Sequence, residues 1–284
     1  MKNIVTRSIS GIIYVALIIC ALLAGPDWFM ALATLFALLA VLEFQKLTDR
    51  GSKPDTITLL IRTLDIAAAT GLCLASYSDI SFVFFDGLAL GAYLLIRLVL
   101  ALYDRRSDAF AAVGRSVMSV MYIGLPLSLA ALADRVTHGN SLTDHLMLIM
   151  FIMIWLNDTG AYCIGSLLGH HRLFPRLSPK KSWEGFWGGM LFCVMAGVAC
   201  YFALSPDGAM LSGQDSLAAW IGLGMTVCVF STWGDLFESL IKRTLGVKDS
   251  GTLIPGHGGI LDRIDSLLLA APATFIYAFF TGML

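Results

Sequence analysis

The chain alternates long apolar runs with short polar interruptions. A transmembrane helix needs roughly 20 consecutive apolar residues. About nine runs approach that length, at 8–24, 28–45, 57–76, 80–102, 109–133, 145–168, 183–204, 216–241 and 264–282. The third is the weakest, because it carries Arg62 and Asp65. The pattern predicts an all-α polytopic integral membrane protein with about nine transmembrane helices.

Composition agrees. Hydrophobic residues make up 57% of the chain and charged residues 14%, against about 25% charged in soluble domains. Mean hydropathy is +0.79. The start, MKNIVTR followed by an apolar run, resembles a signal peptide. No A-x-A site closes that run and further runs follow, so it reads as a retained first helix. The six cysteines all lie in apolar segments without C-x-x-C spacing, which makes them small buried hydrophobes rather than zinc ligands or disulfide partners.

Basic residues give an orientation. With the N-terminus inside, the inner segments hold Lys2, Arg7, Lys46, Arg50, Lys53, Arg105, Arg106, Arg172, Arg176, Lys180, Lys181, Lys242, Arg243, Lys248 and Arg263, whereas the outer loops hold only Arg135. Arg62, Arg97 and Arg115 fall within runs, each in reach of an inner end by snorkelling. This bias predicts a cytoplasmic N-terminus, cytoplasmic polar loops and a C-terminus outside.

The polar residues that remain concentrate in 157–265. Asp235, Glu238, Ser239 and Lys242 sit at i, i+3, i+4 and i+7, one stripe of a helix. A buried carboxylate there needs a partner, either a metal ion or an arginine on a neighbouring helix. Asp262 and Asp265 are spaced i, i+3 at the start of the last helix. They can converge on one ion, or complement the helix dipole. With Asp235 they form an oxygen-only donor set, which suits Mg²⁺ better than zinc or copper. His257 is alone, so it reads as a donor to an anionic ligand or as a loop-packing residue.

Lys242, Arg243 and Lys248 precede the glycine-rich Pro255–Gly259 stretch, an arrangement that can cradle an anion. A bare basic loop would signal only topology or headgroup contact; the three nearby acids point instead to phosphoryl chemistry, which depends on positioning and charge neutralisation. A second cluster starts at Asn157 and Asp158 and runs through Gly165 and Gly169, which permit close helix packing. It ends at Lys180 and Lys181, with Ser182 placed to cap the next helix and Glu184 to complement its dipole. Glu43 is open between packing partner and substrate contact. The chain therefore reads as a single transmembrane domain, 1–284, with scaffold helices mainly in 1–143 and the catalytic helices and inner loops in 144–284.

The stretch Ser239–Asp265 resembles the signature of the phosphatidate cytidylyltransferase (CDP-diacylglycerol synthase) family, S-x-[LIVMF]-K-R-x4-K-D-x-[GSA]-x2-[LIF]-[PG]-x-H-G-G-[LIVMF]-x-D-R-x-D. It matches at every fixed position, among them Ser239, Lys242, Arg243, Lys248, Asp249, Gly251, His257, Gly258, Gly259, Asp262, Arg263 and Asp265. Asp158–Tyr162 and Ser178–Gly185 resemble two further stretches of the family. The resemblance implies a nucleotidyltransferase of phospholipid biosynthesis that turns CTP and phosphatidate into CDP-diacylglycerol and pyrophosphate. It implies Mg²⁺, with room for K⁺ as a second cation, metal on Asp235, Asp262 and Asp265, and a homodimer. Lys242, Arg243, Lys248 and His257 are then expected to act with those aspartates in catalysis. Asn157, Asp158, Lys180, Lys181, Ser239, Asp249, Gly258, Gly259 and Arg263 are expected to bind substrate. The expected partners are CTP, phosphatidate in the inner leaflet and membrane lipids, with no nucleic acid, and the expected location is the bacterial inner membrane.

Other readings carry less. A CDP-alcohol phosphotransferase needs D-G-x2-A-R followed by further spaced aspartates, and Asp86-Gly87 is followed by neither. A lipid kinase lacks the Lys-Asp and His-Gly-Gly elements. A transporter would place polar residues near the midplane of both halves, and a lipid-binding scaffold has no need of three converging acids.

Overall fold

The computed structural model describes residues 2–49, 55–75, 82–139, 145–204, 216–251, 253 and 258–284. It is built of α1 (Lys2–Ala24), α2 (Pro26–Thr48), α3 (Thr56–Ala75), α4 (Phe82–Tyr103), α5 (Ala109–Met118), α6 (Leu125–Thr137), α7 (Leu146–Leu168), α8 (Trp183–Leu204), α9 (Leu217–Thr244) and α10 (Leu261–Thr281). Among the described residues, each apolar run read from the sequence falls on these helices, while 76, 80 and 81 lie outside them. Among the described residues, seven stretches are long and apolar enough to cross a membrane, and α1 and α4 contribute shorter apolar stretches, Ile9–Ala24 and Gly87–Tyr103.

Large apolar side chains point outward, including Leu95, Leu102, Phe110, Leu167 and Phe280, while Glu43, Asp65, Arg97, Asn157 and Glu238 are buried. That inversion of the soluble pattern is stable only in an apolar solvent. The chain is an integral membrane protein.

Local chemistry sets the helix boundaries. Pro26 opens α2, where a missing N–H costs nothing. Asp55 caps α3 by accepting from Thr58 N at 2.8 Å, and the Thr58 side chain holds the Asp55 carboxyl below its usual range. Between α5 and α6 the helix widens into a π segment, Ser119–Gly124. Pro126 explains it: proline cannot donate to the carbonyl four residues back and its ring crowds that carbonyl, so the turn before it must open. A β-hairpin, β1 (Arg172–Phe174) and β2 (Ser178–Ser182), adds to the all-helical expectation. Its strands are short, polar and carry Pro179, so no alternating pattern announced it.

Two compact units emerge, Met1–Arg135 with Asp249–Asp262, and Val136–Lys248 with Arg263–Leu284. The glycine-rich stretch 249–262 thus belongs with the N-terminal helices. The first unit also explains the charges within runs. Asp49 receives Arg62 at 3.0 Å, Arg106 at 3.4 Å and Arg115 at 3.8 Å. Arg115 also pairs with Asp108 at 2.6 Å. Arg62 and Arg115 thus pair with acids at helix ends, Asp49 after α2 and Asp108 before α5. Arg97 departs from the snorkelling expectation: it is 0% exposed and its Nε donates to Ser116 Oγ at 2.8 Å. Asp65 accepts from the Tyr93 hydroxyl at 2.9 Å. The six cysteines are free: Cys73, Cys193 and Cys228 are buried, but Cys20 and Cys163 are exposed, which corrects the reading of all six as buried hydrophobes, since an apolar helix face can look outward in a membrane protein.

Candidate active site

In the second unit, glycines bring α7 and α8 together. A Cβ on Gly160 would lie 2.8 Å from Gly188 O, and one on Gly185 would lie 2.9 Å from Ala161 O. Ser182 caps α8 as expected, its Oγ accepting from Gly185 N at 3.1 Å. Glu184 holds the hairpin, accepting from His171 N at 3.2 Å and contacting His171 Nδ1 at 2.6 Å. This packing leaves a cavity of about 230 Å³ lined by Asn157, Asp158, Tyr162, Lys180, Lys181, Ser182, Phe186 and Thr232, among others. Asn157 is oriented by α9, its Nδ2 donating to Ser231 Oγ at 3.0 Å and Thr232 Oγ1 at 3.2 Å.

Lys181 links the cavity to α9 through an ion pair with Asp235 Oδ2 at 2.5 Å. Along the α9 stripe, Ser239 Oγ donates to Asp235 Oδ1 at 3.5 Å, and Lys242 pairs with Glu238. Gly234 lets α10 come close, since a Cβ there would lie 2.6 Å from Asp265 O. Asp235, Glu238 and Asp265 consequently offer one oxygen each, all within 4.8 Å of one another. Glu238 is fully buried. Carboxylates this close repel unless a cation or proton intervenes, and two lysines offset only part of three negative charges. The donors are all oxygen, so the set fits a hard divalent cation and not a thiolate- or imidazole-loving metal.

In the first unit, Ser250 and Gly259 converge on Asp262. Asp262 Oδ2 accepts from Ser250 N and from Gly259 N, both at 2.9 Å. Gly258 has φ +83°, and a Cβ there would lie 2.5 Å from Asp262 Oδ2, so glycine is required twice over.

The sequence model of the Cytidylyltransferase family matches residues 5–281. The chain belongs to this family. Proteins named phosphatidate cytidylyltransferase are similar over nearly the whole chain. That of Staphylococcus haemolyticus (strain JCSC1435) is 31% identical over 271 residues, covering 94% of this chain and 95% of the relative. That of Staphylococcus aureus (strain COL) is 32% identical with the same coverage. That of Haemophilus influenzae is 32% identical, covering 96% and 98%.

This cytidylyltransferase brings many of the expected residues together. Asn157, Asp158, Lys180 and Lys181 line one cavity, and Lys181 joins it to the stripe of Asp235, Ser239 and Lys242. Asp265 completes the acidic cluster, while Gly258, Gly259 and Asp262 interlock in the first unit. Arg243 is exposed and donates to Val247 O at 3.2 Å. Lys248 and Asp249 are exposed, and Arg263 is partly buried. His257 lies outside the described residues. Sequence reasoning placed Glu238 in the stripe but gave it no metal role; its i, i+3 spacing from Asp235 was the available signal.

Proposed function

We propose that this protein transfers a cytidylyl group from CTP to phosphatidate, releasing pyrophosphate and leaving CDP-diacylglycerol in the membrane. The observation that carries the reading is the cluster of Asp235, Glu238 and Asp265, joined through Lys181 to a cavity inside a helical membrane protein of this family. The names of the relatives support the choice of substrates.

An oxygen of the phosphatidate phosphate attacks the α-phosphorus of CTP in line, and the bond from that phosphorus to the bridging oxygen of pyrophosphate breaks. The attacking oxygen is already anionic, so no general base is needed. Asp235, Glu238 and Asp265 would hold Mg²⁺, which when bound neutralises phosphate charge. The metal role that the sequence suggests for Asp262 belongs to the same proposal and rests on the family resemblance and on its i, i+3 spacing from Asp265. K⁺ is proposed as an optional second cation on the family resemblance. Lys181 and Lys242 now pair with acids of the cluster, and a phosphate can replace those partners. Lys180, Arg243 and Lys248 supply further positive charge, with Asn157 and Asp158 contacting substrate in the cavity. The proposal includes a homodimer in the bacterial inner membrane, with the N-terminus and basic loops cytoplasmic and the C-terminus outside, as the charge bias supports.

The test is pyrophosphate release by detergent-purified protein given CTP, phosphatidate and Mg²⁺, with each left out in turn. Release that needs all three, with a CDP-lipid product, is expected. Folded protein that releases none would sink the reading.

A further inference from the structure

Glu43 stands near the end of α2, more than 200 residues before the glycine-rich stretch, and only 8% of it is exposed. Its Oε2 accepts from Ile260 N at 2.9 Å and its Oε1 from Leu261 N at 3.3 Å. The Ser250 hydroxyl donates to Oε1 as well. These amides belong to the first turn of α10 and the residue before it, whose N–H groups have no partners within the helix. A carboxylate placed on them satisfies the donors and complements the helix dipole.

The fit is close on every side. A Cβ added to Gly251 would lie 2.8 Å from Glu43 Oε2, and one added to Gly259 would overlap the Glu43 carboxyl. Two motif glycines are therefore glycines because Glu43 occupies the room of their side chains. Ser250 ties a second carboxylate into the same knot. Its N donates to Asp262 Oδ2 at 2.9 Å, and its Oγ accepts from Asp262 N at 3.3 Å. One serine thus bridges Glu43 and Asp262, and all of these contacts lie within the first unit.

We infer that Glu43 is a positioning residue for cytidylyl transfer: it clasps Ser250 and the start of α10, and through them fixes the orientation of Asp262. The inference rests on the reading that the motif segment serves cytidylyl transfer. Glu43 need not touch substrate. Its three accepted bonds hold Ser250 and the start of α10, which flank a glycine-rich sequence with little stiffness of its own. Groups of this kind, one step removed from the reacting atoms, typically change metal affinity or activity 10- to 100-fold when replaced.

The decisive experiment compares wild type, Glu43→Gln and Ser250→Ala, all purified in detergent and checked for melting temperature. Glutamine keeps the shape but has one acceptor oxygen for three donors. Ser250→Ala removes the bridge and leaves Glu43 on the two α10 amides. Two readouts are taken: kcat and KM for CTP, and hydrogen exchange of the amides in 258–265. For Glu43→Gln, kcat is expected to fall about 10- to 100-fold while KM for CTP stays within about threefold, the mark of a group acting in the transition state. Amide exchange should rise about tenfold or more. Ser250→Ala should fall between the two. Unchanged exchange in both variants overturns the clasp. Faster exchange with unchanged kcat overturns the positioning role. A wild type that makes no CDP-lipid sinks the functional reading and the catalytic role with it, while the exchange arm still judges the clasp.

Discussion

Two groups of buried and half-buried carboxylates solve the same problem in different ways. In the first unit, Glu43 and Asp262 are surrounded by backbone N–H groups and one serine. In the second, Asp235, Glu238 and Asp265 face one another and two lysines. Backbone amides are fixed dipoles that cannot leave, so they make Glu43 a structural tie and set the orientation of Asp262. Lysine side chains are flexible and can be displaced, so a carboxylate paired with lysine stays available to an incoming cation. The first arrangement builds shape. The second stores unbalanced negative charge beside a cavity, which is what a metal-dependent phosphoryl-transfer site requires.

The sharpest way to break this comparison is to remove a charge from the second group. Asp235→Asn or Asp265→Asn should cost about 100-fold or more in kcat/KM, with amide exchange in 258–265 unchanged; a variant with wild-type pyrophosphate release would remove that residue from the site. Glu238→Gln comes next, expected to raise the Mg²⁺ needed for half-maximal activity about 10- to 100-fold. An unmoved Mg²⁺ titration would make Glu238 only the partner of Lys242. Gly234→Ala tests the helix approach that assembles the cluster. The clash with Asp265 O should cost about 1–3 kcal/mol and weaken Mg²⁺ activation, and a variant that melts and titrates like wild type would refute that role. Ser182→Ala should cost about 1 kcal/mol through loss of the α8 cap, read from thermal melting.

The smallest effect concerns pH. The Arg106 side-chain hydrogen bond, at 2.8 Å, holds Asp104 below the usual carboxylate range. A group depressed on folding stabilises above its unfolded pKa of about 3.9 and loses that contribution as pH falls through the folded value. Melting temperature should therefore fall below about pH 4, less steeply in Asp104→Asn. An identical acid limb in the two proteins would show that the pair contributes nothing.

Legibility differed by element. The helices were readable because a membrane span is a local property: twenty apolar residues satisfy their own backbone and need no knowledge of neighbours. Asp235, Ser239 and Lys242 were readable as a stripe because helical spacing places them on one face. The Lys181–Asp235 pair was not, since β2 meets α9 only after the chain has folded back. Glu43 illustrates the limit most clearly. A single glutamate at the end of an apolar run carries no periodic signal, and its partners lie more than 200 residues away.

The sequence by itself determined that this is a helical membrane protein, and that its motif residues, which lie in 157–265, resemble one enzyme family. Those follow from composition, spacing and residue identity, which are local. The tertiary structure alone decided which carboxylates converge, which lysine pairs with which acid, and that the glycine-rich stretch is clasped by α2. These depend on long-range contacts between helices packed through glycine, where a single Cβ would separate the groups.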